Sequence, residues 1–421
     1  MRLLFVVQRY GREVAGGAEL HCRRFAGALA TRGHDVHALT SCAVGYLDWA
    51  NEYPPGTSVL DGVTVHRLAV PRPRDVERFG RLNGRTIWGY HLRPLVLQRQ
   101  WMLAQGPLLP ELAPWLVERA AGFDVVVFFT YLYYTAWAGL PAAAGRTATV
   151  LHPTAHQEPQ LDLPLFDPVL RLPTLCAYST EEEQALIARR TGGPRPGRVI
   201  GIGVDVYAEG DGGAFRRQYG LGDRPYLLFV GRVDPGKGSL ELCDYFSAYK
   251  RRHPGPLALV VMGDPVSTLA PHPDIVVTGF VPEGVKRDAL DGALALAQPS
   301  YFESFSMVLA EAWAQRRPAL VQGRCDVLAG QARRSGGAIP YTGYAEFEAA
   351  LDRLLQRPDL GRALGEAGHR YVVDRYAWPS VIGRYERLLE QAMLRYERGQ
   401  QAPVGGTPAD TLSAMPSGSI A

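Results

Sequence analysis

Two carboxylates, eight residues apart, sit in the stretch YFESFSMVLAEAW, residues 301–313. The run after Ser306 has apolar residues on helical spacing, with Val308, Leu309, Ala312 and Trp313 able to face a core. Glu303 then falls in the loop before a helix and Glu311 inside it. Eight helical steps would leave two positions roughly 80° apart, so a close acid/base pair is disfavoured. The two read better as acceptors for separate hydroxyl groups. Between them, the N–H groups of Phe305, Ser306 and Met307 lie at a helix start, where amides lack intrahelical partners and attract anions. The plainer alternative is a solvated loop carboxylate and a helix-surface glutamate.

Three other clusters could do chemistry. In VGRVDPGKG (230–238), an Asp-Pro-Gly turn separates Arg232 from Lys237. Such a loop can aim a forked guanidinium and a point charge at one diphosphate, or it can carry two solvated cations. In YGREVAGGAEL, Gly16 and Gly17 open a helix and would let backbone amides approach an anion, unless they form a plain strand-to-helix turn. VLHPTAHQEP (150–159) places His152, His156 and Glu158 after an apolar run, too few ligands for a metal site. Either histidine can equally be structural.

The elements needed to hold these clusters are legible as alternation. RLLFVV, HDVHALTS, DVVVFF and TATVLHP read as strands, and AELHCRRFAGALATRG as a helix ending at Gly33. The Pro/Gly-rich passage RTGGPRPGRVIGIGVDV (190–206) marks a domain boundary. The pattern then restarts with PYLLFVG, a helix over GSLELCDYFSAYKRR, LALVVMG, DIVVTGFV, GALALAQPS and RPALVQG. Strand–helix–strand order twice over predicts two doubly wound α/β domains with a ligand cleft between the carboxyl ends of their strands.

Composition is that of a soluble globular chain: 421 residues, 47% apolar and 21% charged. A formal net charge of +3 is too small to imply a nucleic-acid partner. Five dispersed cysteines without a C-x-x-C pair argue against a disulfide scaffold or a zinc site, and point to a reducing cytoplasm. The apolar run at the start is too short for a signal-peptide core. DVVVFFTYLYYTAWAGLP (124–141) is broken by polar residues and reads as a strand and a helix rather than a membrane span.

Taken together, GGAELHCRRFAGALATRGHDVHALT, GRVDPGKG, VVTGFV and ESFSMVLAEAW make the chain resemble the retaining, nucleotide-sugar-dependent glycosyltransferases of the GT-B fold, family 4. GYLDWANEYPPG (45–56), PTAHQEP and GRCDVLAGQARRSGGAIPY look like a bacterial subgroup. The resemblance covers about residues 1–395. It implies a Rossmann-like acceptor domain over 1–195 and a Rossmann-like donor domain over 196–375. A helix over 376–398 would cross back to the first domain. The stretch 399–421 is rich in Gly, Pro, Ser and Ala and reads as a disordered tail.

The resemblance also implies roles. Arg232 and Lys237 would hold the donor diphosphate, Glu303 the donor sugar and Glu311 the ribose. Backbone amides at Phe305, Ser306 and Met307 would touch sugar and phosphate, with Ser306 standing where many relatives have glycine. Gly16, Gly17, Gly231 and Gly279 would line the donor site. A histidine, His156 in preference to His152, would sit beside the reacting face. No cofactor and no metal are implied, the nucleotide sugar being a co-substrate and the two cations supplying the charge. The acceptor would be a hydroxyl compound. A nucleotide-sugar epimerase or phosphorylase of the same architecture is the alternative.

Eight arginines lie between Arg67 and Arg99 (67, 72, 74, 78, 81, 85, 93 and 99) against Asp75 and Glu77. They form either a solvated face or a contact for an anionic acceptor or membrane surface. A cytoplasmic enzyme with peripheral contact at the inner membrane face is the corresponding expectation.

Overall fold

The computed structural model describes residues 1–14, 16–88, 94–263 and 267–401, with side chains up to Gly399. Its first sheet holds eight strands: β1 (Arg2–Val6), β2 (Asp35–Ser41), β3 (Gly56–Leu60), β4 (Val63–Leu68), β5 (Val125–Phe129), β6 (Ala148–His152), β7 (Leu175–Tyr178) and β8 (Gly197–Val199). Their order is β3-β4-β2-β1-β5-β6-β7-β8, parallel except for the β3/β4 edge pair. The second sheet holds β9 (Tyr226–Val230), β10 (Ala258–Met262), β11 (Ile275–Gly279), β12 (Ala295–Gln298), β13 (Ala319–Gln322) and β14 (Ala338–Tyr341), in the order β11-β10-β9-β12-β13-β14 and all parallel.

Both orders reverse direction once. The first chain segment builds outward from β1 and returns at β5. The second builds outward from β9 and returns at β12. Loops leaving the carboxyl ends of such paired strands diverge to opposite faces of the sheet and leave a crevice. The loops after β1, β9 and β12 carry Gly16-Gly17, Arg232-Lys237 and Glu303 respectively, so the topology places these clusters at the two crevices.

Inner strands such as β5, β6 and β10 are apolar runs buried on both faces, as parallel sheets covered by helices require, while the edge strands β3, β8 and β11 are exposed or partly buried. The largest cluster of buried side chains is continuous across the two domains. It runs from Leu3, Phe5 and Phe129 of the first sheet through Tyr385 and Leu389 to Phe305, Leu309 and Trp313 beside the second. Helix Trp378–Gln401 makes this bridge, packing on β5, β6, β7 and helix Gly17–Thr31. Its polar edge is anchored by Glu386, which accepts from Arg32 at 2.8 Å and lies 3.0 Å from His34.

Two boundaries differ from the sequence reading. Gly197–Val199 pairs with β7, so the first sheet takes in its edge strand beyond residue 195. The crossing helix continues to Gln401, so residues 399–401 are helical; the rest of the tail, 402–421, lies outside the described residues. The five cysteines are buried free thiols. Among the described residues, no helix is long and apolar enough to cross a membrane.

Candidate active site

The loop after β9 is built on a short 3-10 turn, Pro235–Lys237, which Asp234 caps by accepting from the Lys237 backbone N–H at 3.0 Å. Gly238 follows with φ 68°, in the left-handed region that favours glycine. A Cβ there would stand 2.5 Å from the Pro299 carbonyl oxygen. Glycine is therefore what lets the β9 loop lie against the β12 loop. The result is a direct contact: Lys237 Nζ donates to Glu303 Oε1 at 2.8 Å. Arg232 is half exposed, with Nε 3.4 Å from Asp234, and its Nη1 donates to the Tyr46 hydroxyl of the first domain at 2.8 Å.

The β12 loop is organised by Gln298, whose amide donates to Ser306 Oγ at 2.8 Å and to Glu303 Oε1 at 3.3 Å. Ser306 has φ 68° and ψ 82° and caps helix Met307–Ala314. This backbone conformation is what a glycine would adopt without strain, and the Ser306 hydroxyl is turned inward to Gln298. The Phe305 side chain is buried against Tyr376, and its carbonyl accepts from Gln331. Gly231 and Gly279 lie at the carboxyl ends of β9 and β11. The Gly231 amide donates to the Met262 carbonyl and the Gly279 carbonyl accepts from Gly263.

Glu311 does not share the Glu303 cluster. It lies 2.9 Å from Lys286 Nζ, which is also 2.9 Å from Glu283. Burial would pull the Lys286 ammonium down, but the two carboxylates outweigh it and its pKa is raised. These groups line a cavity of about 100 Å³ with Arg24, Asp205 and Gln315. Lys286 was absent from the sequence reading. Its only signal was a position three residues after Glu283 in VPEGVKR, which does not show that Glu311 is the second partner.

In the first domain, Gly16 and Gly17 begin helix Gly17–Thr31. A Cβ on Gly16 would meet Glu19 Oε2 at 2.2 Å, and one on Gly17 would stand 3.7 Å from Met307 Cε across the cleft. The glycine turn thus faces the helix start that carries the 305–307 amides. Glu19 beneath it is buried and accepts from Gln8 at 2.8 Å and from Arg9.

The two histidines separate cleanly. His152 is a core residue and not a site residue, correcting its candidacy. It is 1% exposed, stacked on Phe129 at 4.1 Å and hydrogen-bonded to the Tyr385 hydroxyl at 2.8 Å. Burial, with a smaller contribution from His21, holds its pKa well below the ordinary histidine value. His156 instead lines a cavity of about 180 Å³ together with Glu303, Phe302, Tyr301, Arg324 and Glu183. Its ring lies 5.8 Å from Phe302 and its Nδ1 3.8 Å from Glu158.

The loop bearing His156 is fixed from below by Glu183, another residue the sequence reading missed. The Glu183 carboxylate accepts from the Ala155 amide at 2.6 Å and the Ser179 amide at 2.5 Å. Its signal was a capping box: Thr180 Oγ1 accepts from the Glu183 amide at 3.2 Å. Burial raises the Glu183 carboxyl to about 7 against the opposing pull of these amides. Thr180 also donates to the Ser304 carbonyl at 3.1 Å, so one helix start touches both the His156 and the Glu303 loops.

The arginine run is not one charged face. Arg67 donates to the Tyr10 carbonyl and Ser58 and packs on Tyr53, while Arg74 donates to the Leu47 carbonyl and packs on Trp49 and Phe79. Both are structural. Arg72, Arg78, Arg81, Arg85 and Arg99 remain exposed, and Arg93 lies outside the described residues.

Comparison with known proteins agrees with this geometry. Residues 224–357, which contain the β9 and β12 loops, match the family described as Glycosyl transferases group 1. The D-inositol 3-phosphate glycosyltransferase of Nocardia farcinica is 25% identical over 93% of this chain and 88% of its own length. Among solved structures, the sucrose-phosphate synthase of Thermosynechococcus elongatus superposes with a TM-score of 0.70 at 17% identity, covering 94% of this chain and all of that one. HepE of Anabaena in complex with UDP-glucose superposes with a TM-score of 0.67 at 16% identity, covering 93% and 100%. With two Rossmann-like domains facing across a cleft and the group 1 pattern in the second of them, this chain is a glycosyltransferase of the GT-B fold.

Proposed function

We propose that the protein transfers a sugar from a nucleoside-diphosphate sugar to an acceptor hydroxyl with retention at the anomeric carbon. One observation carries the reading. The two switch-point loops of the second sheet join Lys237, Glu303 and the helix start at Ser306 through Gln298, with Arg232 on the same loop as Lys237 and with Glu303 and His156 lining one cavity. Positive charge and helix-start amides suit a departing diphosphate, whose developing charge they stabilise. Glu303, between Lys237 and Gln298, would accept from sugar hydroxyls. Glu311, in its own cavity beside Lys286, would accept from a ribose. The UDP-glucose held by the structurally similar HepE supports a donor of this class.

No side chain is placed as a covalent nucleophile in this reading. The diphosphate leaves, and the acceptor hydroxyl enters on the face it vacates, held in position by the closed cleft. Exposed arginines 78, 81 and 85 on helix Val76–Ile87 and Arg99 on helix Leu95–Gln105 flank exposed apolar side chains at Trp88 and Leu95, and we assign to these two helices the contact with an anionic acceptor or membrane surface. Failure to co-sediment with anionic vesicles at low salt would remove its membrane form.

The test is a thermal-shift screen against UDP-, GDP-, dTDP- and ADP-sugars, followed by NMR of the product's anomeric centre. One sugar nucleotide should raise the melting temperature, because it binds only the native state. Its product should keep the donor's anomeric configuration. An inverted product, or an epimerised donor with no acceptor product, would overturn the proposal.

A further inference from the structure

The segment GYLDWANEYPPG has no part in the roles given so far, yet its tip enters the cleft. The loop 42–53 is tied at its base by the Ala43/Asn51 bridge and by the Glu52 and Tyr53 amides donating to the Cys42 carbonyl. Glu52 Oε1 accepts from the Gly45 amide at 2.9 Å, and Arg9 Nη1 donates to the Val44 carbonyl at 2.7 Å. Trp49, buried, donates to the Gln105 carbonyl at 2.8 Å. The loop is therefore a fixed post on the first domain, with Tyr46 at its end and 41% exposed.

The Tyr46 ring lies between two guanidiniums, 5.5 Å from Arg9 of its own domain and 5.7 Å from Arg232 of the other. Its hydroxyl accepts from Arg232 Nη1 at 2.8 Å. Without that contact, the partner left to Arg232 nearby is Asp234 on its own loop, 3.4 Å from Nε. A carboxylate two residues away would draw the guanidinium back along the loop, away from an incoming anion. A neutral phenol holds the fork by one hydrogen bond and a ring face and adds no negative charge to that of Asp234.

We infer that Tyr46 is a positioning residue, supplied by the first domain, that aims Arg232 at the donor diphosphate when the domains are closed. This rests on the reading of Arg232 as a diphosphate ligand and extends it: the anion site is complete only when both domains contribute. It also assigns a role to the 42–53 loop.

The experiment is calorimetric titration of the full chain with UDP, GDP, dTDP and ADP, taking forward the tightest binder and its monophosphate. Tyr46→Ala should weaken the diphosphate about tenfold, as expected for losing a charge-assisted contact, and leave the monophosphate within about twofold. Tyr46→Phe, which keeps the ring, should weaken it about threefold, and it carries the test if the alanine variant does not fold. In an Arg232→Ala background, Tyr46→Ala should cost nothing more, since the two act through one contact. Equal weakening of mono- and diphosphate by Tyr46→Ala, or full additivity with Arg232→Ala, would overturn the inference while sparing the site. If Arg232→Ala itself fails to discriminate the two nucleotides, or none of the four binds, the diphosphate reading falls and this inference with it.

Discussion

Removing the Lys237 ammonium tests the site at its centre. The Lys237–Glu303 pair spans 2.8 Å, with side chains 32% and 11% exposed. A fully exposed pair contributes about 0–1 kcal/mol, whereas stranding a fully buried partner costs about 3–5 kcal/mol. Here the lysine is a third exposed, so screening by solvent discounts the buried figure, and Gln298 still donates to Glu303. Lys237→Ala should therefore destabilise the fold by about 1–2 kcal/mol in urea unfolding. Its effect on chemistry should be larger. Loss of one preorganised charge at a developing anion typically lowers turnover by about 10²–10³-fold. The double variant Lys237→Ala/Glu303→Gln separates the two effects. It should recover most of the lost stability, because no unpaired carboxylate remains, and recover none of the turnover. The assay is release of the nucleoside diphosphate from the donor that the thermal-shift screen identifies. Turnover within about threefold of wild type in Lys237→Ala would reduce the lysine to a structural neighbour of Glu303 and refute its role at the diphosphate.

Two further substitutions follow from backbone and burial. At Ser306, glycine removes left-handed strain of about 1–2 kcal/mol and loses one hydrogen bond to Gln298 of about 1 kcal/mol, so Ser306→Gly should leave stability nearly unchanged. Ser306→Ala loses the same hydrogen bond without relieving the strain, so it should cost about 1 kcal/mol; a smaller loss than in the glycine variant would contradict this account. At Glu183, the folded carboxyl titrates at about 7, above the ordinary 4.5. The fold thus binds this proton more tightly than the unfolded chain does. The contribution is fully present below pH 4.5 and is lost as pH rises to 7, about 3 kcal/mol in all. Glu183→Gln should lack that slope between pH 4.5 and 7, and an unchanged slope would show that another group carries it.

The strands and the loops that carry chemistry were legible because parallel sheets write themselves as apolar runs. PYLLFVG and GALALAQPS are adjacent as β9 and β12 although 65 residues separate Gly231 from Leu296, and the switch-point rule alone brings their loops together. What sequence could not give was pairing between separate loops. Nothing in GRVDPGKG says that Lys237 meets Glu303, or that Arg232 meets Tyr46 of the other domain. Nor could it choose between His152 and His156, four residues apart. That choice turns on strand register: His152 is the last residue of β6 and points into the core between Phe129 and Tyr385, whereas His156 lies beyond the strand end. The arginine run divides for a related reason. Charge counts along the chain ignore that long side chains on buried strands and loops can spend their guanidiniums on carbonyls and rings, as Arg67 and Arg74 do.

The contacts across the cleft have a consequence for how the site is assembled. Tyr46 with Arg232, Thr180 with the Ser304 carbonyl, Arg334 with Glu181 and Glu182, and Arg24 with Glu283 all join the first domain to the second. They fall into two groups. The Arg334 pairs lie beside the continuous core, where Arg334 also donates to the Tyr371 hydroxyl and is partly buried. The Tyr46, Thr180 and Arg24 contacts surround the candidate donor site; Tyr46, Arg232 and Glu283 are exposed, while Thr180 is buried and meets a partly buried Ser304. Single contacts of that kind contribute little individually, about 1 kcal/mol or less. A closed cleft held this way can open at its mouth while the core and the crossing helix keep the domains in register, which suits a reaction in which donor must enter and nucleoside diphosphate must leave. The two glutamates of YFESFSMVLAEAW lie on the second-domain side of these contacts, each lining its own cavity, to which the first domain adds His156 and Glu183 in one case and Arg24 in the other.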